Sequence, residues 1–250
     1  MSFGYKVIAL TLLTTLLWGC GATKEERIAA ARDYLAAGDP KTAIIELKSA
    51  LQVDPDNIEA RKLAAEAHLR MGDGLSAQKE LQRAIALGVP RAQLLPDMAL
   101  ALYYQYDFDG LLDIDPATPG LSPQGQASIH GLRGLAYLGE EDQAQAQAQF
   151  DAGMALDANS LEVITGVGWL ASVRGDAAGA RAFAERALAL DKKHAEAWRL
   201  LANIERDADN LEEALKAYNM TLKLRPLNTS ARLGRIAVLT DLQDYTKAAA

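Results

Sequence analysis

The side chains that could carry chemistry are few and scattered. The 250 residues hold three histidines, His68, His130 and His194, and one cysteine, Cys20. The histidines are far apart in sequence, and none falls in a metal-ligand spacing such as HExxH. No glycine-rich loop ends in Lys-Ser or Lys-Thr to cradle a phosphate, and no GxSxG marks a serine nucleophile. A single cysteine forms no internal disulfide. Carboxylates are plentiful, 33 Asp and Glu against 26 Lys and Arg, for a net charge of −7. They are spread along the chain, and no basic stripe of the kind a nucleic acid requires is present. Asp39, Asp73, Asp142 and Asp176 stand where helices are predicted to begin, so they read as turn and N-cap residues, not general acids. The sequence therefore points to no enzyme, no cofactor, no metal site and no nucleic-acid partner.

What the chain offers instead is repetition. Gly38, Ala43, Leu47 and Ala50 recur thirty-four residues later as Gly72, Ala77, Leu81 and Ala84. A second series, Ala146, Ala180, Ala214 and Ala248, keeps the same interval. Within a unit, small residues sit seven apart on one helical face with Leu47 between them, which suits two helices crossing closely. Gly38-Asp39-Pro40 is a turn: glycine accepts positive φ, aspartate caps the next helix, and proline fits its first turn. Each hairpin has an apolar face that only a stacked neighbour can bury. Half the residues are hydrophobic and only 6% aromatic, consistent with an all-helical chain.

A 34-residue period of two amphipathic helices resembles the tetratricopeptide repeat. The sixth unit carries the resemblance furthest, with Trp198, Leu201, Ala202, Ala214, Tyr218 and Pro226 at consensus positions. The resemblance implies an all-α, right-handed superhelical solenoid of antiparallel helix pairs, with about six repeats and a partial seventh over residues 24–250. The third repeat is degenerate. Its Pro-rich break, residues 115–123, cannot lie inside a regular helix, and the helical pattern resumes at Gln126. The seventh unit stops at Ala248-Ala249-Ala250, from which the natural chain is expected to continue.

The first nineteen residues read as a signal peptide: one lysine, a twelve-residue apolar run from Val7 to Trp18, then a small residue. The run is too short for a confident transmembrane helix, which needs about 20 apolar residues. Leu17-Trp18-Gly19-Cys20 resembles a bacterial lipobox. That resemblance implies acylation of Cys20 and cleavage before it, with residues 20–23 as a short anchored linker. Gly21, in place of Asp, implies sorting to the outer membrane on its periplasmic side. Trp18 is bulkier than the motif usually carries.

In tetratricopeptide arrays the first helix of each pair lines a concave groove. In that frame the groove candidates are Arg32, Lys62, Glu66, Arg70, Tyr103, Trp169, Arg199, Asn203 and Arg206. Arg199, Asn203 and Arg206 share a helical face, and Arg and Trp are common interface anchors. Singly, each reads more readily as a solvated or packing residue. Gly234 stands where a carboxylate clamp would need asparagine, so that clamp is not expected. The lipobox, the stretch GDPKTAIIELKSALQVDPDNIEARKLAAEAHLRMGD, the opening VPRAQLLPDMALAL and the DP-containing break together resemble the N-terminal part of the PEP-CTERM/exosortase-system lipoproteins. This implies a lipid-anchored scaffold in an exopolysaccharide-linked export system, with protein or peptide partners in the groove. The alternatives are a pilotin-like or outer-membrane assembly lipoprotein, and the N-terminal arm of a longer enzyme.

Overall fold

The computed structural model describes residues 22–242. The expected signal peptide, Cys20 and the start of the seventh unit's second helix lie outside the described residues. Within them the chain is helical throughout, with thirteen helices and no strand. α1 (Lys24–Ala37) pairs with α2 (Pro40–Val53), α3 (Ile58–Met71) with α4 (Gly74–Ala86), and α5 (Arg91–Gln105) with α6 (Phe108–Leu112). α7 (Pro123–Gly139) pairs with α8 (Gln143–Leu156), and α9 (Leu161–Val173) with α10 (Ala177–Leu190). α11 (Ala195–Asp207) pairs with α12 (Leu211–Leu224), and α13 (Thr229–Asp241) follows.

Local chemistry fixes the hairpins. Asp39, Asp73, Asp142 and Asp176 accept the backbone N–H groups of Thr42, Ser76, Gln145 and Gly179, so all four are N-caps. Gly38 and Gly72 end α1 and α3 in the left-handed conformation, φ 81° and 80°, which glycine adopts without steric penalty. A further repeated device is visible only in three dimensions. Arg61, Trp198 and Arg232 occupy the same place in their units. Each donates to the carbonyl six residues back, on Pro55, Lys192 and Pro226, and so fastens the incoming turn. The Arg27–Glu46 pair at 2.8 Å likewise recurs one period on as Arg61–Glu80 at 2.5 Å.

First helices pack on the first helices of neighbouring units as well as on their own partners, whereas second helices pack on first helices alone. The first helices therefore form the inner wall of a right-handed superhelix. Its core is the small-residue face: Ala43, Ala77, Ala146, Ala180 and Ala214 are fully buried. Large side chains are buried where the facing helix is glycine. Phe150 is enclosed, and a Cβ built on Gly134 or Gly166 would stand 2.3 or 2.2 Å from its ring.

The third unit departs from the pattern. α6 is five residues long, with Leu111 fully buried where α2 and α4 have Ala43 and Ala77. Arg133 donates to the carbonyls of Leu112 and Ile114 and ties off the short helix. The Pro-rich stretch turns on Asp115, whose carbonyl and carboxylate accept from Thr118 and Ala117. α7 begins at Pro123, three residues earlier than the sequence pattern places it. Ser122 caps Gly125, and proline in the first turn loses no hydrogen bond.

Candidate partner groove and the seam that closes it

On the N-terminal half of the inner wall, α3 and α5 border an open pocket of about 650 Å³. Its apolar floor comes from Ile58, Leu63, Leu81 and Leu94, and its polar rim from Glu59, Lys62, Glu66 and Asp97. Ile58 is 40% exposed. Glu59 is paired with Arg32 of α1. Glu66 is paired with Arg70 at 2.6 Å, and Arg70 also donates to the Leu35 carbonyl at 2.6 Å. Arg70 thus fastens α3 to the end of α1. Lys62 and Asp97 have no ion-pair partner among the described residues. The walls desolvate Asp97, and together with Glu66 and Glu162 they raise its carboxyl above the usual range, against the pull of Lys62. Asp97 keeps a water-exposed surface all the same.

Further along, the wall meets itself. The turn between α12 and α13 reaches across to the ends of α3 and α5. The Leu227 N–H donates to the Met71 carbonyl at 3.1 Å. The hydroxyls of Tyr106 and Ser230 share a hydrogen bond of 2.8 Å. The Arg225 guanidinium lies 4.4 Å from the centre of the Tyr104 ring, within cation–π range. Gly72 leaves room for the Arg225 stem, since a Cβ there would come within 2.7 Å of Cγ. A smaller pocket of about 190 Å³ sits in this seam, walled by Tyr103, Tyr104, Phe108, Leu135 and the 225–230 turn.

Behind the seam lies a buried ion triad. Glu196 accepts from Arg199 at 2.7 Å and from Arg225 at 2.8 Å, with Asn228 adding a longer bond of 3.3 Å. Arg199 also stacks 4.3 Å over the Trp169 ring. Burial alone would push the Glu196 carboxyl up, but the two guanidinium groups hold it down at about 2. Burial pushes the Tyr103 phenol up to about 12, raises Tyr104 as well, and lowers His194. The same region holds four buried polar atoms without a hydrogen-bond partner among the described residues: Tyr104 Oη, Trp169 Nε1, His194 Nε2 and Arg225 Nε. Each such group costs about 1–3 kcal/mol when it stays dry.

Residues 34–95 match one family model described as tetratricopeptide repeat, and residues 167–229 match another. The chain carries tetratricopeptide repeats. Among solved structures, PilF of Pseudomonas aeruginosa is similar at 20% identity and a TM-score of 0.49, covering 88% of this chain and 96% of that one. A thermophilic tetratricopeptide protein of Thermus thermophilus is similar at 18% identity and a TM-score of 0.40, covering 87% and 100%. PilW, a widely conserved type IV pilus biogenesis factor, is similar at 19% identity and a TM-score of 0.40, covering 90% and 88%. No curated protein matches the sequence. Among the described residues no helix is long and apolar enough to cross a membrane, and no group of His, Cys, Asp and Glu could hold a metal ion.

The nine groove candidates of the tetratricopeptide frame separate into three groups. Arg32, Lys62, Glu66 and Arg70 border the open pocket or lie next to it. Tyr103, Trp169 and Arg199 belong to the closed seam and the triad behind it. Asn203 and Arg206 are drawn into local contacts. Asn203 accepts from the Tyr218 hydroxyl, and Arg206 pairs with its neighbour Asp207 at 3.0 Å. Of the three that share a helical face, Arg199 thus sits in the buried triad, whereas Asn203 and Arg206 make contacts of their own. Sequence reasoning passed over Glu196, Arg225, Tyr104 and Asp97. Arg225 had a weak signal, a charge at the helix end just before Pro226. The others look like ordinary helix residues until units meet across the ring.

Proposed function

We propose that this chain is a non-catalytic tetratricopeptide scaffold that holds a protein or peptide segment against the open groove of α1, α3 and α5. The observation that carries this reading is the α3–α5 pocket. It has an aliphatic lining with Ile58 exposed at its mouth and, among the described residues, two unpaired charges of opposite sign, so it can take both apolar and polar groups from an extended chain. The lipobox-like Leu17-Trp18-Gly19-Cys20 supports the view that the scaffold works from a membrane surface, with Cys20 acylated and the array facing the periplasm. The PEP-CTERM/exosortase-system resemblance supports a place in exopolysaccharide-linked sorting of surface proteins.

Site-specific photo-crosslinking tests the reading in cells. A photo-reactive residue at position 58, in the pocket, is expected to capture a discrete partner. The same residue at position 45, exposed on α2, serves as the outer-face control. The companion Cys20→Ser chain should leave the membrane fraction and lose the capture at position 58 if anchoring brings the partner within reach. Equal labelling at 58 and 45 would overturn the groove assignment. Undiminished membrane association of Cys20→Ser would overturn the anchor.

A further inference from the structure

We propose that the α12–α13 turn is a latch: it closes the array into a ring by docking on the ends of α3 and α5, and its release opens the inner wall. The contacts across the seam are of a kind that can let go. Among the described residues they include one backbone hydrogen bond, one hydroxyl pair between residues 124 positions apart, one guanidinium on an aromatic ring, and close packing of the arginine stem on a glycine. Among the described residues no helix of units two and three packs closely along a helix of units six and seven, and turns and helix ends carry the bridge. The two sides do not pack flush, since the seam encloses a pocket of about 190 Å³.

Polar accounting favours a poised closure. Of the four unpartnered buried atoms, Tyr104 Oη and Arg225 Nε belong to the two residues stacked across the seam. Release gives water access to both groups. It does not break the triad, because Glu196, Arg199 and Arg225 all lie in the same unit and travel together. What release uncovers is an aromatic wall, Tyr103, Tyr104 and Phe108, facing a unit with two guanidinium groups and one carboxylate. Two preformed faces meeting at a small, incompletely satisfied joint make a bistable element that a partner can bias. That last step rests on the groove reading above, whereas the latch itself is a property of the free chain.

The test measures distance across the seam in the full chain. Cys20→Ser removes the native thiol, and Leu75→Cys and Leu233→Cys carry spin labels at sites 69% and 62% exposed. Double electron–electron resonance on this form should show a main short distance with a minor longer one. A reference locked by a Met71–Leu227 cysteine pair, introduced as Met71→Cys with Leu227→Cys and read by fluorescence energy transfer between dyes at 75 and 233 placed as non-natural residues, should keep the short distance alone. Arg225→Ala should shift most of the population to the longer distance with helical content unchanged. Tyr106→Phe combined with Ser230→Ala touches only the exposed hydroxyl pair and carries the test should Arg225→Ala unfold. It should raise the longer population severalfold. If the distributions of the folded variants coincide with that of the locked reference, the seam is a fixed joint and the latch is overturned. Loss of capture at position 58 with the distances as expected would count against the groove alone.

Discussion

At the scale of single residues, the decisive group is Glu196. Its carboxylate is buried and neutralises two arginines that would otherwise repel one another behind the seam. The folded carboxyl titrates at about 2, against an ordinary value of 4.5. A depressed carboxyl adds stability above its unfolded pKa, and that stability is lost as pH falls through the folded pKa. The window is therefore pH 4.5 down to 2, and the loss is on the order of 3 kcal/mol from the size of the shift. Glu196→Gln should be less stable at neutral pH, because it strands two buried guanidinium groups, by about 3–5 kcal/mol. Its urea midpoint should then fall less between pH 4.5 and 2 than that of the parent chain. Parallel pH slopes for the two proteins would show that the triad does not set acid stability.

At the scale of helices, small residues decide how closely units approach. α9 carries Gly166 against the ring of Phe150, where a Cβ would stand 2.2 Å from a ring carbon. In an exposed helix, glycine to alanine stabilises by about 1 kcal/mol. Here overpacking opposes that gain, typically by about 1–3 kcal/mol, and the ring is fully buried with no room to yield. Gly166→Ala should therefore destabilise by up to about 2 kcal/mol on these terms. Phe150→Leu should recover part of the loss in the double variant, since leucine fills the equivalent places at 47 and 81. Additive losses in thermal unfolding would mean that Gly166 and Phe150 are not coupled. The repeat itself was legible in sequence because it is local: the glycine–aspartate turns, the alanine face and the thirty-four-residue interval are short-range patterns. The start of α7 was misplaced because Pro123 reads as a breaker, yet it occupies the one turn of a helix where proline costs no hydrogen bond. The seam was illegible for a different reason. Arg225, Tyr104 and Gly72 meet through the accumulated rotation of several units, and no period in the chain encodes that meeting. Arg199 looked like a groove anchor because its partner Glu196, three residues earlier, looks like an ordinary helical ion pair until both are buried.

At the scale of the whole molecule, closure changes what kind of object the array is. An open solenoid is quasi-one-dimensional: each unit feels only its neighbours, and its ends can unfold separately. The bond from Leu227 to Met71 and the stack of Arg225 on Tyr104 add a coupling between the second and third units and the sixth. The two tryptophans of the described residues, Trp169 and Trp198, both lie in the C-terminal half, whereas helical signal comes from the full array. In urea, tryptophan fluorescence and far-ultraviolet circular dichroism should give one coincident transition for the parent chain. Combining Tyr106→Phe with Arg225→Ala removes the cross-ring coupling, and the two curves should then separate, because the N-terminal units no longer unfold in step with the tryptophan-bearing half. Coincident curves in that variant, with a lowered midpoint only, would mean that neighbour stacking alone makes the array cooperative and that the ring adds no communication between its ends.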